Sequence, residues 1–272
     1  MSVSLIITVY KDYEALSLVL QSVSRQSLIP KQIIVAHDTI DIGIQPIISS
    51  YSSSLNMCHI DQVDTGFNKN RILNKAILAS DHEFLIFVDG DCLLHERFIE
   101  EHRKHLVQGV FTAGRRIDLD AKTSNQVRQF GLQQLGFFRM LSNRTKRVEE
   151  AFYIKSPLVS SKKTPKLLGC NMGWCKSDLI ALNGFDMDYT LPGYGEDTDL
   201  EFRALRSGMS AKTCDGKRCN TIYTTNVPTV KSTSVKAERC SKISAKLVIF
   251  TAKTVFQIWN RNFHMNNTTY LS

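Results

Sequence analysis

Five apolar residues in a row, Phe84-Leu85-Ile86-Phe87-Val88, run without a break into Asp89-Gly90-Asp91. A half-exposed strand would alternate, so this run reads as a strand buried on both faces. Such a strand needs parallel neighbours with helices laid over them, and candidates for both are present. Residues 4–9 read as a buried strand, 32–36 as another ending in His37-Asp38, and 56–60 as a weaker one. Between them, residues 14–24 carry Leu16, Val19, Leu20 and Val23 at helical spacing, and residues 70–79 carry Ile72, Leu73, Ala76 and Ile77. Residues 44–50 read as a short helix. This alternation predicts an α/β fold. In such sheets ligands sit beyond the carboxyl ends of the strands. Tyr10, Asp38 and Asp89-Gly90-Asp91 all fall there.

Composition narrows the class further. The chain has 272 residues, 43% hydrophobic and 22% charged, which excludes a disordered chain, a disulfide-stapled miniprotein and a fibre. Its formal charge of +8 suits nucleic acid, an anionic membrane surface or a phosphorylated small molecule. The excess is local. From Arg203 onward twelve Lys and Arg stand against Asp215 and Glu238 alone, so residues 1–202 are slightly acidic. The same end carries Ile243, Leu247, Phe250, Val255, Ile258 and Trp259 over residues 242–262, which read as a basic amphipathic helix for a membrane surface. A helix packed on the domain with its lysines in solvent is the alternative.

The start has no basic n-region, and no stretch of about 18 apolar residues occurs, so neither a signal peptide nor a membrane-spanning helix is expected. Seven cysteines, an odd number, favour reduced thiols in a cytoplasmic protein, peripheral at the inner face of the membrane. Cys170/Cys175 and Cys214/Cys219 have a spacing that could hold zinc, but they read better as ordinary thiols. His102 and His105 read as an exposed helix face.

The middle of the chain is less regular. Residues 127–141 have helical spacing, and 143–163 are polar and lack a period. Residues 167–173 read as a strand followed by a turn, and 196–206 as a helix with acids in its first turn, where the dipole favours them. Three groups carry chemistry. Asp89-Gly90-Asp91 offers two carboxylates at a strand end, one able to bind a hard cation and the other a ribose hydroxyl or water. Gly193-Tyr194-Gly195-Glu196-Asp197-Thr198-Asp199 combines a backbone that can approach a ligand with carboxylates suited to a general base. In Phe67-Asn68-Lys69-Asn70-Arg71, Lys69 and Arg71 can reach phosphate and Phe67 can stack on a ring.

Together these blocks resemble glycosyltransferase family 2 with the GT-A fold. They are Thr8-Val9-Tyr10, Val35-Ala36-His37-Asp38 and the Asp-x-Asp. Phe67-Asn68-Lys69-Asn70-Arg71-Ile72-Leu73-Asn74 is similar to a block of the galactosyltransferase-like branch, as is Gly184-Phe185 followed by Gly195-Glu196-Asp197-Thr198-Asp199-Leu200. The likeness spans residues 3–208. It implies a Rossmann-like mixed sheet flanked by helices, and an inverting enzyme that moves a hexose or N-acetylhexosamine from a UDP-sugar. The acceptor would be a glycan or lipid-linked sugar in bacterial surface polysaccharide synthesis.

By position, Thr8, Tyr10, Asp38, Phe67, Lys69, Arg71, Asp89 and Gly90 would bind the nucleotide sugar. Asp91, with Asp89, would hold Mn2+ or Mg2+. Asp197 would be the base, with Glu196 orienting the acceptor among Trp174, Tyr194 and Gly195. Residues 1–230 would form the transferase domain (1–118 for the nucleotide sugar, 119–230 for the acceptor), followed by the tail at 231–272.

Two positions depart from the family. Lys69 replaces an arginine and loses its bidentate fork. Where relatives carry a metal-binding histidine, the chain reads Ile222-Tyr223-Thr224-Thr225-Asn226-Val227-Pro228, and no histidine lies between His105 and His264. Either Asp91 and the diphosphate hold the metal with water, or His264 arrives from the tail, or metal dependence is weak; the first is the expected arrangement. That gap leaves a catalytically inactive nucleotide-sugar-binding homologue as the rival reading. A nucleic-acid-binding protein is disfavoured, because the ligand edge carries carboxylates where lysines and arginines would be needed.

Overall fold

The computed structural model describes residues 2–134, 166–193 and 195–213 and the backbone of 222–224. Residues 1–227 form one compact unit and 228–272 another. All the described elements belong to the first.

The first half follows the apolar pattern closely. Strand β1 (Val3–Val9) is followed by helix α1 (Tyr13–Val23), β2 (Gln32–His37), α2 (Gln45–Tyr51), β3 (Met57–Asp61), α3 (Lys69–Ala79) and β4 (Phe84–Asp89). Helix α1 starts where the Asp12 carboxylate accepts the Ala15 N–H at 3.1 Å, and it buries Leu16, Val19, Leu20 and Val23. Successive side chains of β1 enter opposite cores. Leu5, Ile7 and Val9 pack with α1, and Ile6 packs with Ile72 and Ala76 of α3. Both layers bury about 1.5–3 kcal/mol per large aliphatic side chain, so neither face of this strand tolerates a polar residue.

The second half adds β5 (Cys92–Leu93), α4 (Phe98–His105), β6 (Val110–Ala113), β7 (Arg116–Asp118) and α5 (Ala121–Phe130). These are followed by β8 (Met172–Cys175), α6 (Lys176–Ala181), α7 (Glu196–Arg206), β9 (Ser210–Thr213) and β10 (Ile222–Thr224). The main sheet runs β3-β2-β1-β4-β8-β6-β9, and β5, β10 and β7 make a small second sheet. β1 to β4 are parallel, while β8 lies antiparallel to both β4 and β6. The chain therefore winds outward from β1 through β2 and β3, then crosses back to place β4 on the other side. Ligands in open α/β sheets bind at that reversal, here the gap between the ends of β1 and β4.

Four readings change. The helix expected at 127–141 is α5, which begins earlier because Asp120 accepts the N–H groups of Lys122 and Thr123. It stops at Gly131, whose φ of 84° no helix continues. Residues 167–173 run in the opposite order to expectation. Gly169 and Cys170 turn first, and the strand follows at Met172–Cys175. His102 is fully buried and not on an open face: one ring nitrogen meets Thr112 Oγ1 at 2.7 Å and the other Asn171 Oδ1 at 2.8 Å. Trp174 is also fully buried, stacked on Phe111 with ring centroids 4.5 Å apart, so it cannot offer a face to a sugar.

Cys58, Cys92, Cys170 and Cys175 are free thiols, as the odd count suggested. No helix among the described residues is long and apolar enough to cross a membrane. Residues 135–165, Tyr194, Cys214, Cys219 and the 231–272 tail with its expected helix lie outside the described residues.

Candidate active site

At the reversal, Thr8 of β1 stands opposite Asp89 of β4 in register, and its hydroxyl donates to Asp89 Oδ1 at 2.9 Å. Lys69 Nζ, from the first turn of α3, donates to the same oxygen at 2.5 Å. Burial works against the Lys69 ammonium, but the charge and hydrogen bond of Asp89, helped by Glu196 and Cys170, outweigh it and raise its proton affinity. Burial also disfavours ionised Asp89, yet Lys69 and the Thr8 hydroxyl hold its carboxyl below the usual range. Asp91 differs. Burial first, and then the charge of Asp89, push its carboxyl up. A carboxyl crowded in this way gains most from a cation.

Between the two acids, Gly90 N–H donates to the Thr8 carbonyl at 2.7 Å, and a Cβ there would stand 2.8 Å from that same oxygen. Only glycine lets the turn close this tightly over the end of β1.

Asp38 holds Lys69 at one remove. Its carboxylate accepts Gln62 Nε2 at 2.6 Å and the backbone N–H of Asn68 at 3.0 Å, which pins the turn that launches α3. Burial raises its proton affinity. Tyr10 is exposed and donates to Asp64 at 3.1 Å, beside the Lys11–Asp64 ion pair at 2.8 Å. Phe67 is half-buried. Arg71 is exposed, and two residues along a helix from Lys69 it points to another side, toward Lys75. It does not share the Asp89 site.

The far wall comes from the second half. The Gly169 N–H donates to Asp197 Oδ2 at 3.2 Å, and Thr198 N–H donates to Asp197 Oδ1 at 2.8 Å. A methyl group at Gly169 would lie 3.9 Å from Lys69 Nζ and 4.0 Å from Asp197 Cβ, so these two side chains flank the same backbone turn. Gly195 precedes α7 with a φ of 90°, a left-handed conformation that aims the acidic first turn of Glu196 and Asp197 at this wall. Asp199 takes no part there, since it is paired with Arg203 at 2.8 Å.

Three residues escaped the sequence reading of the site: Gln62, Arg116 and Cys92. Arg116 lies with its Nη1 3.8 Å from Cys170 Sγ, and its charge helps keep Asp89 and Asp91 ionised. Cys170 was weighed only against Cys175, but its neighbour is Cys92. In the small sheet Thr224 stands opposite Cys92.

Comparisons with known proteins bear on the family and the fold. The model of the family "Glycosyl transferase family 2" matches residues 4–160, more than half of the chain. Chondroitin synthase of Escherichia coli is 23% identical over 232 residues, covering 78% of this chain and 33% of that protein. The chain thus spans about a third of this curated relative. Among solved structures, S. aureus TarS superposes with a TM-score of 0.55 at 16% identity, covering 84% of this chain and 37% of that one. The mannosyltransferase PcManGT of Pyrobaculum calidifontis, in complex with GDP-Man and Mn2+, gives 0.55 at 15%, covering 81% and 56%. TarS 1–349 in complex with UDP-GlcNAc gives 0.54 at 16%, covering 82% and 58%. From the seven-stranded mixed sheet, the paired acids at its reversal and the family match, the chain belongs to glycosyltransferase family 2 and has the GT-A fold.

Proposed function

We propose that this glycosyltransferase moves a hexose or N-acetylhexosamine from a UDP-sugar to a hydroxyl of a glycan or lipid-linked acceptor, with inversion, in surface polysaccharide synthesis. The single observation that carries the reading is the position of Asp197. Its carboxylate is held by Gly169 N–H across a turn from the Lys69–Asp89 pair, with no cation bonded to it among the described residues. A carboxylate fixed in that way stands where an acceptor hydroxyl can meet it.

Asp197 accepts the proton of the acceptor hydroxyl, and the oxygen forms its bond to the anomeric carbon from the face opposite the diphosphate. The bond to the diphosphate oxygen breaks, and the nucleoside diphosphate leaves with the electron pair. Glu196, next in the same helical turn, orients the acceptor. Lys69 places positive charge beside Asp89, and Thr8 fixes the rotamer of that carboxylate. Tyr10 and Asp38, just past the ends of β1 and β2, and Phe67, just before α3, would face the base and ribose.

The donor set also fits a divalent cation such as Mn2+ or Mg2+. Asp91 is an oxygen ligand whose charge is poorly compensated, and Asp89 lies two positions before it, across Gly90. Asp91 and Asp89 would hold it, and when bound it neutralises the diphosphate.

The test is transfer from a panel of UDP-hexoses and UDP-N-acetylhexosamines by the wild type and Asp197→Asn. Loss of a general base lowers kcat by about 10²–10⁴-fold. The donor KM should stay unchanged. Full activity of Asp197→Asn overturns the base assignment. Nucleotide-sugar binding without turnover by the wild type favours the inactive homologue.

A further inference from the structure

Cys92 and Cys170 come from segments 78 positions apart and meet beside Asp89, so that the two sulfurs and a carboxylate oxygen all lie within 4.8 Å of one another. Both cysteines are buried and free. Thr8 and Lys69 both bond Asp89 at Oδ1, which leaves Oδ2 for another partner. We infer that, in the nucleotide-free protein, Asp89, Cys92 and Cys170 form a binding site for a borderline-soft divalent cation of the zinc and cobalt class, an ion that shares Asp89 with the proposed donor-site cation and so competes with it.

Two sulfurs and one oxygen suit such an ion better than Mg2+, which prefers oxygens alone. Around a tetrahedral ion with metal–sulfur bonds of about 2.3 Å, neighbouring ligand atoms stand about 3.8 Å apart. The three groups therefore need to draw in by at most about 1 Å, which side-chain rotation can supply. Each part of the site has its own backbone support. Asp89 and Cys92 flank the Gly90 turn, β5 is held by β10, and Cys170 sits in the turn that enters β8. Arg116 lies against Cys170 and adds positive charge near the ion, while the carboxylates of Asp89 and Asp91 offset it. On binding, each S–H releases its proton to solvent as the sulfur–metal bond forms, so no oxidant is needed.

The inference does not depend on the donor-sugar reading, and its test is run without nucleotide. The full chain, reduced and stripped with chelator, is titrated with Co2+ while the near-ultraviolet sulfur-to-cobalt absorption is followed, and Zn2+ is then added in competition. The expected result is one equivalent of Co2+ with sulfur absorption, displaced by Zn2+. That absorption should weaken in Cys92→Ser and in Cys170→Ser, each with affinity reduced at least about tenfold. It should persist in Cys58→Ser, in Cys175→Ser and in the triple variant Cys214→Ser/Cys219→Ser/Cys240→Ser. Should Cys92→Ser fail to fold by circular dichroism, Cys170→Ser alone decides. Absorption lost only in the triple variant, unchanged in Cys170→Ser, or absent from the wild type overturns the site.

Discussion

Lys69 and Asp89 show how one contact organises the mouth of the sheet. Neither charge is fully solvated, and each is kept ionised by the other. Lys69→Met removes the cation bonded to Asp89 and leaves Thr8 as its hydrogen-bond donor, with the Arg116 charge nearby. A lost hydrogen bond to a charged group of about 1.5–3 kcal/mol lowers affinity by about 10–100-fold. UDP binding measured by calorimetry should fall by that factor, with Lys69→Arg retaining most of it; unchanged binding in Lys69→Met would remove Lys69 from the donor site. The acids at strand ends were legible in the sequence because a buried apolar run ending in polar residues is a local signal. Cys92 meeting Cys170, and Gly169 meeting Asp197, were not legible, because no local pattern encodes contacts across 78 or 28 positions. Trp174 misled for a related reason: next to a glycine turn, a tryptophan in the core and one that stacks on sugars look alike in sequence.

Helices α1 and α5 meet through one residue that serves both. Asp12 caps α1 and also receives Arg128 of α5 in a two-pronged pair, at 2.7 Å and 3.0 Å. Asp12→Ala loses cap and pair together, and the cap alone is worth about 1 kcal/mol. Asp12→Asn can still cap but cannot pair. Urea unfolding should rank the wild type above Asp12→Asn and Asp12→Asn above Asp12→Ala; equal stability of the wild type and Asp12→Asn would deny the pair any contribution. Elements whose apolar spacing agrees with their caps were read to within a residue or so, as with α1, α3 and β4. The start of α5 was not, because its first buried residues, Thr123 and Ser124, are polar and the helix begins at its cap, Asp120, before any apolar period starts.

For the molecule as a whole, the βαβ half was legible from its apolar runs, whereas the antiparallel insertion of β8 was not, since four residues carry too little pattern to name their partners. His37, His59 and His95 are each held below the ordinary histidine pKa, mainly by burial. The unfolded chain binds their protons more readily, so their contribution to stability is complete above about pH 6.5 and is lost as pH falls below it. Asp38 and Asp91, held above the usual carboxylate value, act in the opposite direction, since protonation relieves them. The histidine window opens first. The thermal midpoint should therefore decline between about pH 7 and 5.5, by at most about 1.4 kcal/mol per pH unit for each histidine. A flat midpoint over that range would mean that the three rings bind protons as readily in the folded protein as in the unfolded chain.

The place of β8 also has a temporal side. It fills the slot between β4 and β6, yet about sixty residues separate the end of β6 from Met172. At a synthesis rate of about 5–20 residues per second, the growing chain carries two bare strand edges for about 3–12 s. During that interval the carboxylates of Asp89 and Asp91 are already made, while their neighbours Cys170 and Asp197 have yet to leave the ribosome. The nascent chain thus has to shield an open sheet before the wall facing Asp89 exists, which makes residues 114–171 the stretch of synthesis when a chaperone matters most.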